Sequence, residues 1–171
     1  VLVKGGVYIE APAHLKAIAL DKTGTLTEGK PAVVEVVPMS GHDERELLER
    51  VAALESRSDH PLAQAIVSFA KQRGVAFKPA DDFQIIQGKG ATARFDGQMY
   101  WLGSHRYLEE RGQETPDVHE RLEALSRAGR TVVVIGKDEH VCGFIALADA
   151  VRPAARPSLE ALRNSGIQHL V

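Results

Sequence analysis

The 171-residue chain has a single cysteine, Cys142, so no disulfide can form within it. Cys142 lies between Val141 and Gly143 in an apolar stretch, which predicts a small core side chain and fits a reducing, cytosolic compartment. No run approaches the roughly 18 consecutive apolar residues of a membrane span, and the amino end shows no charged-then-apolar signal pattern. The sequence is expected to be soluble. An excess of charge of one sign is lacking too: 21 Lys and Arg against 23 Asp and Glu leave a net charge of −2 at pH 7. Nucleic acid or an anionic membrane surface would favour a basic face, so neither is expected as a partner. Internal repeats, low-complexity tracts and a Gly/Ser linker are absent from the sequence. Its seven histidines are not spaced with each other or with Cys142 in a recognised ligand pattern, so surface positions are expected for them. The remaining composition, 44% hydrophobic and 26% charged, is that of one globular domain or two small ones.

One motif lacks its last residue. Gly24 to Pro31 spells the phosphate loop G-x-x-x-x-G-K-[ST] except that Pro31 stands where the hydroxyl should be. Pro31 has neither a hydroxyl nor an N–H, and the residues after it are β-branched rather than helical. The phosphate-loop reading fails, and Gly29-Lys30-Pro31 reads as a turn.

What is present is organised around Asp21-Lys22-Thr23-Gly24-Thr25-Leu26-Thr27. The stretch follows an apolar run, Ala17 to Leu20, read as a buried strand that begins at Lys16, and a carboxylate at a strand's carboxyl end is where open α/β sheets place chemistry. Asp21 is the candidate nucleophile, able to hold a phosphoryl group as an aspartyl phosphate. Thr23, Gly24 and Thr25 supply hydroxyls, N–H groups and a flexible turn to fold around a phosphate. Hydrolases of this kind place a second acid two residues after the nucleophile, where this chain has Thr23. A phospho-Asp here is therefore expected to be long-lived.

Helical spacing predicts helices over 43–55 and 61–73, stopped by Gly74, with a capping Ser58 or Asp59 and Pro61 in the first turn. A short strand at 83–86 leads to Gln87-Gly88-Lys89-Gly90. Asp96-Gly97 predicts a hairpin between 91–95 and 98–102. A short helix opening at Ser104, a helix over 117–128, paired strands at 131–135 and 141–147, a helix after Pro157 and a final strand at 167–171 complete the chain. The ends read as α/β and the middle as antiparallel sheet with helical hairpins.

The seven residues from Asp21 to Thr27 resemble the phosphorylation signature of the P-type ATPases, ion pumps of the haloacid-dehalogenase-like fold. Ser58-x-His60-Pro61-Leu62 resembles the nucleotide-domain signature of the heavy-metal-transporting subgroup. This resemblance implies a haloacid-dehalogenase-like phosphorylation domain in two pieces, 1–33 and 143–171, around an inserted nucleotide-binding domain, 34–142, with Asp149 closing the insertion. It implies that Glu55 and His60 line an adenine pocket and that Gly88 and Gly90 let the backbone approach the nucleotide. It implies ATP as the bound cofactor, with Asp21, Thr23 and Thr25 catalytic and Mg²⁺ on the Asp21 carboxylate and a backbone carbonyl beside it, at Thr23. Ser104 stands where the family often has an Asn that reaches the nucleotide.

The same resemblance implies a cytosolic fragment of a multi-pass pump, partnered by transmembrane and actuator segments and by a heavy-metal cation those segments carry. Its further carboxylates, basic residue and Thr-Gly-Asp are expected beyond Val171, so the chain is expected to bind ATP without turnover. Local phrasing around Leu15 to Ala19 and Thr27 to Pro31 looks closer to zinc, cadmium or cobalt members than to copper ones. A non-catalytic nucleotide-binding module and a soluble phosphatase of the same fold are the alternatives, the latter disfavoured by Thr23.

Overall fold

In the computed structural model, residues 4–6, 10–138 and 140–171 are described. Two compact units are formed: Pro31–Ala148 in one, and Val1–Lys30 with Asp149–Val171 in the other. The expected boundaries, 33/34 and 142/143, fall inside strands. The larger unit takes in more chain than 34–142 because β-branched and apolar residues from Val33 to Leu147 belong to its core.

The smaller unit pairs β1 (Ala17–Ile18) in parallel with β8 (His169–Leu170). The predicted strand over 16–20 is shorter as regular structure, but its backbone bonds extend further: Leu20 N–H donates to the Val171 carbonyl at 2.7 Å and Gln168 N–H to Lys16 at 2.8 Å. Asp21 follows directly after Leu20. Helix α5 (Ala155–Asn164) completes the described elements here, after a 3₁₀ turn, Ala11–His14, near the start. Pro157 lies inside the first turn of α5 rather than ahead of it. First-turn N–H groups have no intrahelical partner, so proline costs little there.

The larger unit is a six-stranded sheet in the order β2 (Thr27–Pro38), β7 (His140–Val151), β6 (Thr131–Lys137), β5 (Gln98–Gly103), β4 (Gly90–Phe95), β3 (Asp81–Ile86). The pairs from β3 to β7 are antiparallel. At the β4–β5 hairpin both Asp96 and Gly97 have positive φ, 48° and 78°, the conformation that a two-residue type I′ turn demands. Alternation along the strands sorts side chains onto two buried faces. Val133, Ile135, Ile145 and Leu147 join the apolar faces of α1 (Glu44–Glu55) and α2 (Pro61–Gln72). Val134, Phe144, Ala146 and Trp101 pack with α3 (His105–Glu110) and α4 (Pro116–Arg127). Covered on both sides, β6 and β7 read as continuous apolar runs. Asp43 caps α1 by accepting from Glu46 N–H at 2.8 Å.

Gly29-Lys30-Pro31 is not a free turn but part of β2. Gly29 has φ +73°, and the side chain of Asp149 accepts from the N–H groups of Gly29 and Lys30 at 3.1 and 3.0 Å. Pro31 has no N–H to place, so the strand passes through without an orphaned donor.

Candidate functional site

In the smaller unit, Asp21 to Thr27 forms a tight turn, Lys22–Leu26, with Gly24 at φ +78°. Thr27 is the only buried polar residue among those described, at 3% exposure. Its Oγ1 accepts from Gly24 N–H at 3.0 Å and lies 3.1 Å from the Lys22 carbonyl and 2.5 Å from Asp149 Oδ2. One hydroxyl proton cannot serve both acceptors, and the charged, closer carboxylate takes it. The Thr27 hydroxyl, with the N–H groups of Lys30 and Gly29, holds the Asp149 carboxyl below its usual range. Arg152 closes the other side, donating its guanidinium to the Gly24 carbonyl at 3.1 Å and its N–H to Leu26 at 2.9 Å. The scaffold thus uses Thr27, Asp149 and Arg152 and leaves Asp21, Thr23 and Thr25 exposed. Among the described residues those three side chains have no hydrogen-bond partner, so a carboxylate and two hydroxyls are free to meet a ligand.

In the larger unit Glu55, His60, Gly88 and Gly90 come together on one cleft of about 700 Å³. Glu55 is the last residue of α1. Half-buried, at the negative end of the helix dipole and without a hydrogen-bond partner among the described residues, its carboxyl is pushed up by burial to about 7. His60 is exposed and turns its Nδ1 toward its own helix, accepting from Leu62 N–H at 3.2 Å. The cap of α2 is therefore His60, not Ser58 or Asp59; Ser58 Oγ instead accepts from His60 N–H at 3.3 Å. With Nδ1 an acceptor, the ring proton of neutral His60 sits on Nε2.

The two glycines differ in their reason. Gly88 needs its positive φ, +73°, and a Cβ there would meet open space. Gly90 lies opposite Gly103 in the β4–β5 register, and a Cβ on it would stand 2.0 Å from the Leu102 carbonyl oxygen. The bare backbone at Gly90 is thus required first by the neighbouring strand. Lys89 pairs with Glu110. Ser104 sits at the N-cap of α3 without making the side-chain cap, and its exposed residue lines the cleft.

Phe83, Ile85 and Gly103 are among the lining residues that were not singled out in the sequence. Ile85 is 73% exposed, an apolar wall without a protein neighbour to cover it. Its place at the end of a short strand beside the Gly88–Gly90 turn was the available signal. The described histidines do not all stand alone on the surface. His42 and His140 approach Cys142, and His105 and His119 both approach Glu114, because the sheet and helices join positions far apart in sequence.

Comparison with known proteins fixes the family: a model described as haloacid dehalogenase-like hydrolase matches residues 15–171. The chain belongs to the haloacid dehalogenase-like hydrolase family. Within it, a probable cadmium-transporting ATPase of Staphylococcus aureus is 38% identical over 176 residues, covering 100% of this chain and 24% of the relative. Copper-exporting P-type ATPase B of Archaeoglobus fulgidus is 41% identical over 167 residues, covering 98% of this chain and 24% of the relative. The chain spans about a quarter of the length of these curated relatives. A crystal structure of a zinc-transporting PIB-type ATPase in the E2.Pi state superposes with TM-score 0.75 at 34% identity, over 99% of this chain and 27% of that one. The N-domain of HMA8, a copper-transporting P-type ATPase, gives TM-score 0.60 at 28% identity, over 68% of this chain and 99% of that one. This haloacid dehalogenase-like chain is thus homologous to the cytosolic region of heavy-metal P-type ATPases. Among the described residues no helix is long and apolar enough to cross a membrane.

Proposed function

We propose that this haloacid dehalogenase-like chain is the ATP-binding and phosphorylation region of an ATP-driven heavy-metal cation exporter. The observation that carries the reading is the convergence of Glu55, His60, Gly88 and Gly90 on one apolar-walled cleft of about 700 Å³. Adenine is flat, apolar on its faces and polar at its edge. Phe83 and Ile85 offer the face a surface, the Glu55 carboxylate accepts from the exocyclic amino group, and His60 presents its ring and Nε2. The glycine turn lets the backbone come close to the nucleotide, as Ser104 lets its hydroxyl do.

Asp21, at the carboxyl end of β1, is the residue that takes the phosphoryl group in the whole pump. Its carboxylate oxygen attacks the γ-phosphorus, the bond to the β–γ bridging oxygen breaks, and ADP leaves with that oxygen. Thr23 and Thr25 donate to the transferred group. The donors proposed for Mg²⁺, the Asp21 carboxylate and the Thr23 carbonyl, are both oxygen, which is what that ion requires. When bound, that ion neutralises phosphate charge. Asp149, the acid tied to this loop, is engaged by Thr27, Gly29 and Lys30 and is not free to act as a second acid beside Asp21.

In the parent pump this region lies on the cytoplasmic face, joined to actuator and transmembrane segments that carry the cation. Cadmium and copper transporters match at 38% and 41% identity, so this region does not separate zinc, cadmium or cobalt from copper. The ligand set of the membrane segments makes that choice. Calorimetric titration with Mg-ATP tests the reading. Saturable ATP binding without formation of acid-stable, hydroxylamine-labile phosphate is expected of the 171-residue chain. No ATP binding would overturn the assignment, and rapid hydrolysis of a simple phosphate ester would point to a phosphatase.

A further inference from the structure

At the opposite end of α1 from Glu55, side chains separated by 98 residues of sequence converge. His42 precedes α1, and His140 and Cys142 are two residues apart at the start of β7, where that spacing puts their side chains on one face. His42 Nε2 lies 3.2 Å from His140 Nε2, which lies 3.8 Å from Cys142 Sγ. All three atoms fall within 4.8 Å of one another. Around a tetrahedral zinc ion, bonds of about 2.1 Å to nitrogen and about 2.3 Å to sulfur separate neighbouring donor atoms by roughly 3.4 to 3.6 Å. The observed spacings bracket those values.

The surroundings orient the donors. His42 Nδ1 lies 3.3 Å from Glu46 Oε2 in the first turns of α1. Arg50 Nη1 also lies 3.2 Å from Nδ1 but can only donate, so in the tautomer with a proton on Nδ1 it is Glu46 that accepts it, and the Nε2 lone pair of His42 is then aimed at His140 and Cys142, the carboxylate–histidine arrangement that supports metal ligands. Cys142 is fully buried while His140 is exposed, so the group has one closed side and one open to solvent. The other histidine group differs: Glu114 Oε1 lies 2.7 Å from both His105 Nε2 and His119 Nδ1. Those separations are hydrogen bonds, too short for donors sharing an ion.

We propose that His42, His140 and Cys142 form a binding site for a thiophilic divalent cation of the zinc or cadmium type, with solvent in the fourth position. Two imidazoles and one thiolate suit such ions and offer nothing to Mg²⁺ or Ca²⁺, which require oxygen. Binding releases the thiol proton to solvent and replaces the N–H···N contact between the rings, His140 passing to the tautomer with its proton on Nδ1 so that both Nε2 atoms are free. The site stands apart from the ATP cleft and does not depend on that reading.

The untagged 171-residue chain, reduced and stripped with chelator, is titrated with Zn²⁺ against a chromophoric chelator and separately with Co²⁺. One tight equivalent of Zn²⁺ is expected. Co²⁺ should give the visible bands of a tetrahedral centre together with a thiolate charge-transfer band in the near ultraviolet. His140→Ala, at an exposed position, should keep the circular dichroism and melting of the parent and weaken Zn²⁺ binding by roughly tenfold or more. His119→Ala should change neither. Absence of stoichiometric Zn²⁺ binding, a Co²⁺ spectrum without the thiolate band, or binding undiminished by His140→Ala would each overturn the proposal.

Discussion

Thr27 Oγ1 stands 2.5 Å from Asp149 Oδ2 across 122 residues of sequence, and this contact joins the two ends of the smaller unit's chain beneath the Asp21 turn. Thr27→Val removes the donor to Asp149 and leaves the Gly24 N–H without its acceptor, so a lower urea midpoint is expected. Thr27→Ser restores it if the hydroxyl is the cause. The Asp149 carboxyl is held low, so its stabilisation is present above its ordinary value of 3.8 and is lost as pH falls through the lowered folded value. Asp149→Asn should flatten that acid limb.

Glu55 carries the opposite sign. Its carboxyl titrates near 7 in the folded chain against 4.5 in the unfolded one, so the folded state holds the extra proton between those values. Stability is full below 4.5 and declines as pH rises to about 7, by roughly 3 kcal/mol. Glu55→Gln should be the more stable protein at pH 8 by up to that amount and should lose this part of the pH dependence. Denaturant melts at pH 5 and pH 8 provide the check.

His60 has two duties that substitution separates. His60→Asn keeps an acceptor at the N-cap of α2 and should hold stability near the parent's, while His60→Ala should cost about 1 kcal/mol. Both lose the ring, and His60→Gln does as well. Each should weaken ATP by roughly five- to tenfold. Calorimetry showing unchanged affinity in all three would remove His60 from the adenine pocket.

The glycine turn divides likewise. Gly88→Ala places a Cβ in open space at φ +73°, and should cost about 1 kcal/mol with the fold retained. Gly90→Ala must push against the Leu102 carbonyl of β5, and about 2–3 kcal/mol is expected. Equal losses in thermal melts would contradict the register argument.

Much of the fold could be read from local signals. Asp43 before a 12-residue amphipathic α1, Asp96-Gly97 between two alternating strands, and Gly74, Gly129 and Gly166 after helices each specify backbone conformation with their own chemistry. The differences fell at one strand whose partner is distant and at two helix starts. Gly29 to Pro31 looked like a turn because the sequence cannot show that Asp149 satisfies its N–H groups. Pro157 looked like a breaker, although α5 begins two residues earlier. Asp59 and Ser58 looked like caps, yet the ring nitrogen of His60 does the work.

By itself the sequence determined which chemistry is on offer: a carboxylate behind a strand, a Thr-Gly-Thr turn, a His-Pro helix start and a glycine pair. Covalent neighbours carry that information, since each motif needs only a few consecutive residues. Tertiary structure alone decided which side chains are already engaged and which are free. It tied up Asp149 and left Asp21 exposed, buried Glu55 enough to raise its carboxyl to about 7, and gathered His42, His140 and Cys142 at one point. Those outcomes depend on burial and on distances between residues far apart in the chain, which only the folded sheet and its helices set.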